Sequence, residues 1–267
     1  MKQLDLQGQP VALFEHAPQR PNDRDMAPWL LIHGAGHDHA VWDDIAAGLA
    51  AGGARVFVPD LPGHGGSAGA PLADIDTIAA WVLALGDALG LDRIRLCGHS
   101  MGSLVALAAA GKAPDRIEGL ALVGCSVPMP VSPFLLDAAH NEPERAFALI
   151  NKFSFAPADV LGEARRADLE AANLQRMQQQ GARVLASDLA ACDTWQDGLA
   201  AAARVRCPTL LICGELDRMT PADAVKPLSD SLEKAGCSAR IIVLAGAGHA
   251  MMQEAPHALV DALRGPN

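Results

Sequence analysis

No tyrosine occurs among the 267 residues, and aromatic residues make up only 4% of them, so no proton transfer here can be assigned to a phenol. No apolar run approaches the length of a membrane-spanning helix. The first ten residues are polar and lack the apolar core of a secretory signal. Basic residues are in the minority: 21 Lys and Arg stand against 31 Asp and Glu, a net charge of −10. Without a Lys/Arg cluster, such a chain is a poor match for nucleic-acid phosphates or anionic lipid. The six cysteines (Cys97, Cys125, Cys192, Cys207, Cys213, Cys237) show no Cys-x-x-Cys and no metal-ligand spacing. Most sit in apolar strand-like runs, which reads as buried, reduced thiols acting as small hydrophobes. Together these absences lead to the expectation of a cytoplasmic protein. What is present is apolar bulk: half the residues are hydrophobic, enough for one large α/β domain with an insertion, or two small domains.

The strongest local signal is Leu96-Cys97-Gly98-His99-Ser100-Met101-Gly102-Ser103. An apolar run, Ile94 to Cys97, leads into Gly98, and Met101, Leu104, Val105, Leu107 and Ala108 then fall on one helix face. Ser100 therefore stands where a strand turns sharply into a helix. The flanking glycines bring no Cβ into so tight a turn. The hydroxyl is left exposed above the sheet, at a helix N-terminus that favours negative charge. The bland alternative is a glycine-flanked N-cap whose serine only accepts a backbone bond.

Around this stretch, apolar runs alternate with amphipathic helical patterns. A hairpin is expected from Leu4–Leu6 and Val11–Phe14 around Gly8-Gln9-Pro10, and a loop across His16–Met26. Trp29–Ile32 reads as a strand buried on both faces. It runs into His33-Gly34-Ala35-Gly36-His37-Asp38-His39, followed by a helix with Val41, Trp42, Ile45, Ala46 and Leu49 on its apolar face. Three histidines and an aspartate in seven residues raise a metal site, but no second cluster completes one. Strands are expected at Ala54–Val58, Arg93–Cys97, Ile117–Val123, Pro208–Cys213 and Arg240–Leu244, with a helix over Asp76–Leu89. The alternation argues for a parallel sheet covered on both faces. It breaks from about Pro128 to about Ala203, where only helical stretches occur: Glu144–Phe153, Leu161–Gln180 and Val184–Asp193.

Gly98-His99-Ser100-Met101-Gly102 matches the Gly-x-Ser-x-Gly nucleophile elbow, and the chain resembles the α/β-hydrolase family. Four further stretches carry the likeness: the His33-Gly34 loop, Asp60-Leu61-Pro62-Gly63-His64-Gly65-Gly66-Ser67, Gly214-Glu215-Leu216-Asp217 through Pro221, and Gly246-Ala247-Gly248-His249. The resemblance implies an α/β fold: a mostly parallel, doubly wound sheet of about eight strands with an inserted helical cap. The core would be residues 1–127 and 204–267, and the cap residues 128–203. It implies a nucleophile Ser100, an acid Asp217 and a base His249, in the family's order of Ser, acid, His. Asp217 has Glu215 as its local competitor and, as a bland alternative, an Asx-turn role. The oxyanion amides would be those of Met101 and Ala35, with Gly36 in reserve. His64 is read as a packing residue and His257 as surface.

Gly34, His99, Met129, Phe134, Met219 and Ala250 are the substrate-binding candidates. The apolar cap residues Met129, Phe134, Leu135, Phe147, Phe153, Phe155 and Trp195 either line an acyl pocket or pack the cap helices together. A serine nucleophile excludes the family's Asp-nucleophile dehalogenases and epoxide hydrolases, and the latter also use cap tyrosines. The expected activity is carboxylic-ester hydrolysis through an acyl-enzyme, without metal or organic cofactor. Carbon–carbon hydrolase, lactonase, perhydrolase and non-catalytic ligand-binding members remain as alternatives. The expected partner is a small ester with an apolar acyl group, not nucleic acid or membrane. The chain is expected to be a monomer or homodimer.

Overall fold

A computed structural model describes residues 2–19 and 26–265. β1 (Lys2–Leu6) and β2 (Gln9–His16) form the expected antiparallel hairpin. Its turn is tighter than the sequence suggested: Gln7 and Gly8 make it, with φ of 57° and 81°. Positive φ at both positions is the mark of a type I′ two-residue hairpin turn, and Gln9 and Pro10 already belong to β2. Of the loop read across His16–Met26, residues 20–25 lie outside the described part.

Strand and helix then alternate through β3 (Trp29–Ile32), α1 (Asp43–Ala51), β4 (Val56–Pro59), α2 (Ile75–Ala88), β5 (Ile94–His99), α3 (Met101–Lys112) and β6 (Ile117–Val123). Helices alone follow: α4 (Pro133–Asn141), α5 (Pro143–Ser154), α6 (Ala158–Leu161), α7 (Glu163–Gln180), α8 (Ala182–Thr194) and α9 (Gly198–Ala202). The chain closes with β7 (Thr209–Gly214), α10 (Lys226–Lys234), β8 (Ala239–Leu244), α11 (Met251–Glu254) and α12 (Pro256–Arg264). The strands form one eight-stranded sheet in the order β1-β2-β4-β3-β5-β6-β7-β8. β1 and β2 are antiparallel to their neighbours, and the rest is parallel.

The parallel strands alternate sides, and both sides are covered. Leu30, Ile32, Leu96 and Leu122 face a core completed by α2, α3 and α10 through Val82, Leu104, Leu107 and Leu228. Leu31, Val56, Cys97 and Val123 face the opposite core, completed by α1 and α12 through Ile45, Leu49, Leu259 and Leu263. The strand order reverses direction at β3, which pairs with β4 on one side and β5 on the other. Ligand crevices of such sheets open outside the carboxyl ends of strands at that reversal, and there the loop after β3 meets the loop after β5.

The helical stretch between β6 and β7 differs in detail from the sequence reading. α4 is not among the helical stretches expected there. Pro133 sits at its first turn, where no amide is needed, and Ser132 Oγ accepts the Leu135 amide at 3.2 Å. Gly162, at φ 83°, parts α6 from α7, so the helix expected over Leu161–Gln180 starts at Glu163 and Leu161 ends α6. Helices α4, α5, α7 and α8 share a small core of their own, built on Ala138, Phe147, Ile150, Met177, Leu185 and Leu189.

Leu30 is fully buried in β3. Leu30→Ala is expected to lower stability by about 2–5 kcal/mol in urea unfolding. Val243, on the edge strand β8, is 50% exposed, and Val243→Ala is expected to cost less than about 1 kcal/mol.

Candidate active site

Ser100 joins β5 to α3 with φ 53° and ψ −119°, a left-handed backbone that non-glycine residues rarely adopt. The neighbouring glycines make this geometry sterically feasible. A Cβ on Gly98 would collide with the Gly102 carbonyl, and one on Gly102 with the Ile32 carbonyl of β3. The turn is anchored by the Ser100 amide, which donates to Val123 O at 2.9 Å. The Ser100 side chain makes no capping bond, so the plain N-cap reading does not describe it.

Asp217 and His249 come from the loops after β7 and β8 and meet at the same end of the sheet. His249 Nδ1 lies 2.8 Å from Asp217 Oδ2, and both residues are buried. The Asx-turn alternative for Asp217 holds as well, on its other oxygen: Oδ1 accepts the amides of Met219 (2.8 Å) and Thr220 (2.9 Å). Thr220 Oγ1 donates to Oδ2 at 2.7 Å. Burial by itself would raise the Asp217 pKa, but His249 and these donors outweigh it and bring it down to about 2. His249 Nε2 is buried and has no hydrogen-bond partner among the described residues. The competitor Glu215 is exposed and accepts the Gly246 amide instead. His257 is exposed on α12.

His99, next to Ser100, ties the loop of His249 to the turn between β5 and α3. Its Nε2–H donates to His249 O at 2.9 Å. Burial, helped by the neighbouring His249, holds its pKa well below the usual histidine value. The helical segment grips the same loop: the amides of His249 and Ala250 donate to Ser154 O at 2.8 and 3.0 Å. Buried Glu254 accepts the amides of Gly248 (3.0 Å) and Ala156 (2.9 Å) on one oxygen.

The Gly34-Ala35-Gly36 loop is held just as firmly, by residues the sequence did not disclose. His37 Nδ1–H donates to Ala35 O at 2.6 Å, and its Nε2 meets Asn173 Oδ1 of α7 at 2.7 Å. The Gly36 amide donates to Asp188 Oδ2 of α8 at 2.8 Å. That bond takes Gly36 out of the reserve role for an oxyanion, because its amide already serves a carboxylate. The same Asp188 oxygen accepts His64 Nε2–H at 2.8 Å, while His64 Nδ1 faces Pro62 O at 3.1 Å. Burial opposes a charge on His64, but Asp188 outweighs it and raises the pKa. His64 is thus a packing residue, as read, but with a buried ionic partner 124 positions away. An aspartate among alanines on an amphipathic helix carries no local mark of this role. The remaining polar residues of the His33–His39 loop diverge: His33 Nε2 accepts the Leu61 amide, and His39 Nδ1 pairs with Asp60.

A cavity of about 530 Å³ lies between this end of the sheet and the helical segment, and Ser100, His249 and Ala35 line it. So do Gly34, His99, Met129, Phe134, Met219 and Ala250. Met101 does not. Its side chain is fully buried in the core, and it can offer the site only its amide at the start of α3. Of the apolar cap candidates, Met129, Phe134, Leu135 and Phe153 line the cavity. Phe147, Phe155 and Trp195 do not, and all three are buried. Phe147 belongs to the small helical core, and Trp195 lies in the main core with its indole N–H on Asp76.

Comparison with known proteins agrees with this architecture. A sequence model of the alpha/beta hydrolase family matches residues 29–262, and the chain belongs to that family. A pimeloyl-[acyl-carrier protein] methyl ester esterase of Aromatoleum aromaticum is 32% identical over 83% of this chain and 90% of its own length. The dihydrolipoyllysine-residue acetyltransferase component of an acetoin cleaving system of Pseudomonas putida is also 32% identical, over 85% of this chain. The match spans 60% of that relative's length. The crystal structure of an enol-lactonase from Burkholderia xenovorans superposes with a TM-score of 0.83, at 26% identity, covering 99% of this chain and 100% of that one. Among the described residues, no helix is long and apolar enough to cross a membrane.

The folded Asp217 carboxyl titrates near 2 rather than at its ordinary 3.8, so the unfolded chain binds its proton first as pH falls. Its stabilisation, on the order of 2 kcal/mol, is present above about pH 4 and lost between about pH 4 and pH 2. Urea midpoints across that window are expected to fall less steeply in Asp217→Asn than in the wild type. Asp188 is 1% exposed, and Asp188→Ala would leave His64 and the Gly36 amide without their acceptor. A loss of about 3 kcal/mol or more in urea unfolding is expected.

Proposed function

We propose that this chain is a serine hydrolase of small carboxylic esters that works through Ser100, His249 and Asp217. One observation carries the reading. The buried His249–Asp217 pair leaves Nε2 of the imidazole unpartnered among the described residues, on a residue that lines the same cavity as the elbow serine. A serine hydroxyl is a poor nucleophile until a base takes its proton, and an imidazole with one nitrogen held and the other free suits that task.

In this reading Ser100 Oγ attacks the ester carbonyl carbon while His249 Nε2 takes the hydroxyl proton. Asp217, kept ionised by its bonds, steadies the imidazolium. The carbonyl oxygen becomes an oxyanion held by the amides of Ala35 and Met101, each contributing about 3 kcal/mol in the transition state. Collapse expels the alcohol, which takes its proton from His249, and leaves an acyl-serine. Water, deprotonated by His249, then releases the acid and restores Ser100. Residues 128–203 act as a cap over a core of residues 1–127 and 204–267, and supply apolar walls for the acyl chain. The likeness to an enol-lactonase along its whole length favours cyclic esters as a second substrate form. There the leaving oxygen stays tethered to the acyl group.

A fluorophosphonate is expected to add once to the wild type, on Ser100, and not to Ser100→Ala or His249→Ala, as read by intact mass. Both variants are expected to lose about 10⁴-fold or more in kcat on a simple ester, with unchanged thermal unfolding. Asp217→Asn is expected to lose less. Full activity in Asp217→Asn would place the acid elsewhere, and an unmodified wild type would sink the serine-hydrolase reading.

A further inference from the structure

The cavity walls are charged against the trend of the chain. Acidic residues outnumber basic ones by 31 to 21 overall, yet no Asp or Glu is among the described residues that line the cavity. One guanidinium is, that of Arg218. Arg218 follows Asp217 directly, so it springs from the loop that orients His249. Its Cζ lies 4.6 Å from the centroid of the Phe153 ring, and its Nη2 reaches Lys152 O at 3.4 Å. Phe153 lines the cavity as well and is 37% exposed. Lys152 Nζ stands over the same ring at 5.6 Å. Neither cation has a carboxylate partner among the described residues. Arg145 makes the contrast. It stacks on Phe134, another lining ring, at 4.4 Å, but it is paired with Glu142 at 3.1 Å.

Two like charges sharing one aromatic ring repel each other, and no carboxylate of the described residues answers them. The ring holds the guanidinium by cation–π attraction, and apart from the long bond from Nη2 to Lys152 O its N–H donors have no acceptor among the described residues. A guanidinium presents parallel N–H donors matched to a carboxylate. The cavity that Arg218 lines together with Ser100 also has apolar walls, with Leu135, Leu149 and Ile150 among them.

We propose that Arg218 is an anion subsite, and that the chain's substrates are esters or lactones bearing a second, ionised carboxylate at the far end of a short apolar chain. The inference rests on the serine-hydrolase reading of the same cavity. The ester carbonyl sits at Ser100, methylenes cross the apolar wall, and the free carboxylate meets Arg218 over Phe153, with Lys152 adding long-range attraction.

The test compares monomethyl adipate with methyl hexanoate, and monomethyl glutarate with methyl pentanoate. Each pair differs in a terminal carboxylate against a methyl group. In the wild type, kcat/KM is expected to favour the acid ester by about tenfold or more, and to do so less as salt rises. Arg218→Met brings the acid-to-neutral ratio close to one, whatever it does to either rate alone, and Arg218→Lys restores part of it. A ratio that Arg218→Met leaves unchanged overturns the proposal. A second arm needs no turnover: adipate is titrated calorimetrically into the wild type and Arg218→Met, with binding expected in the first and about tenfold weaker in the second. If no ester is hydrolysed and no fluorophosphonate adduct forms, the serine-hydrolase reading fails while the calorimetry still decides the subsite. Equal affinity in both proteins, or no binding to either, sinks it.

Discussion

The close approach of β5 and α3 is the constraint on which the rest of this molecule depends. A non-glycine residue at φ 53° costs on the order of 1–2 kcal/mol, and Ser100 keeps that conformation only because its surroundings leave no other. β5 is clamped between β3 and β6, α3 is buried along nearly its whole length, and Gly98 and Gly102 let the two backbones touch. The strained turn puts the hydroxyl at the carboxyl edge of the sheet. Pairing of β3 with β5 sets the Gly34-Ala35 loop beside it, and the parallel run β6-β7-β8 brings Asp217 and His249 to the same edge from more than a hundred residues away.

The helical segment between β6 and β7 does more than roof this edge. Loops that converge on a cavity leave amides without neighbours, and a buried amide without an acceptor is costly. Here the segment supplies the acceptors. Asp188 takes the Gly36 amide, and Ser154 O takes those of His249 and Ala250. Glu254 in turn joins Gly248 to Ala156 of the segment through one oxygen. The loop proposed to hold the oxyanion and the loop that carries His249 are thus fastened to one helical unit. Its position therefore bears on the geometry of the site as well as on the shape of the cavity.

How much of this was legible varied with the range of the interaction. The elbow could be read because its chemistry is local: a glycine on each side of a serine between an apolar run and a helical face has few other uses. Asp217, Ala35 and His249 could be read because each follows an apolar strand closely in a distinctive loop. The six proposed substrate contacts line the cavity for the same reason, standing in or beside those loops or at the start of the segment. The sequence left the segment's large apolar residues undecided between lining a pocket and packing the helices together. Phe134 and Phe153 line the cavity while Phe147 and Phe155 are buried away from it, and nothing in the sequence separates them. Which side of a helix faces its own bundle and which faces a cavity depends on how the bundle is laid over the sheet.

The sequence by itself determined the alternation of strands and helices outside the helical segment, the turn at Ser100 and the positions of the three residues proposed for the chemistry. All of these follow from spacing and backbone freedom within about ten residues. Tertiary structure alone decided that Gly36 is occupied by Asp188, that His64 has an acidic partner, and that Arg218 and Lys152 share one ring with no carboxylate among the described residues to answer them. Each depends on charged or polar groups distant in sequence being brought within hydrogen-bonding or cation–π range. Such contacts are set by packing of the whole chain, and no local pattern records them.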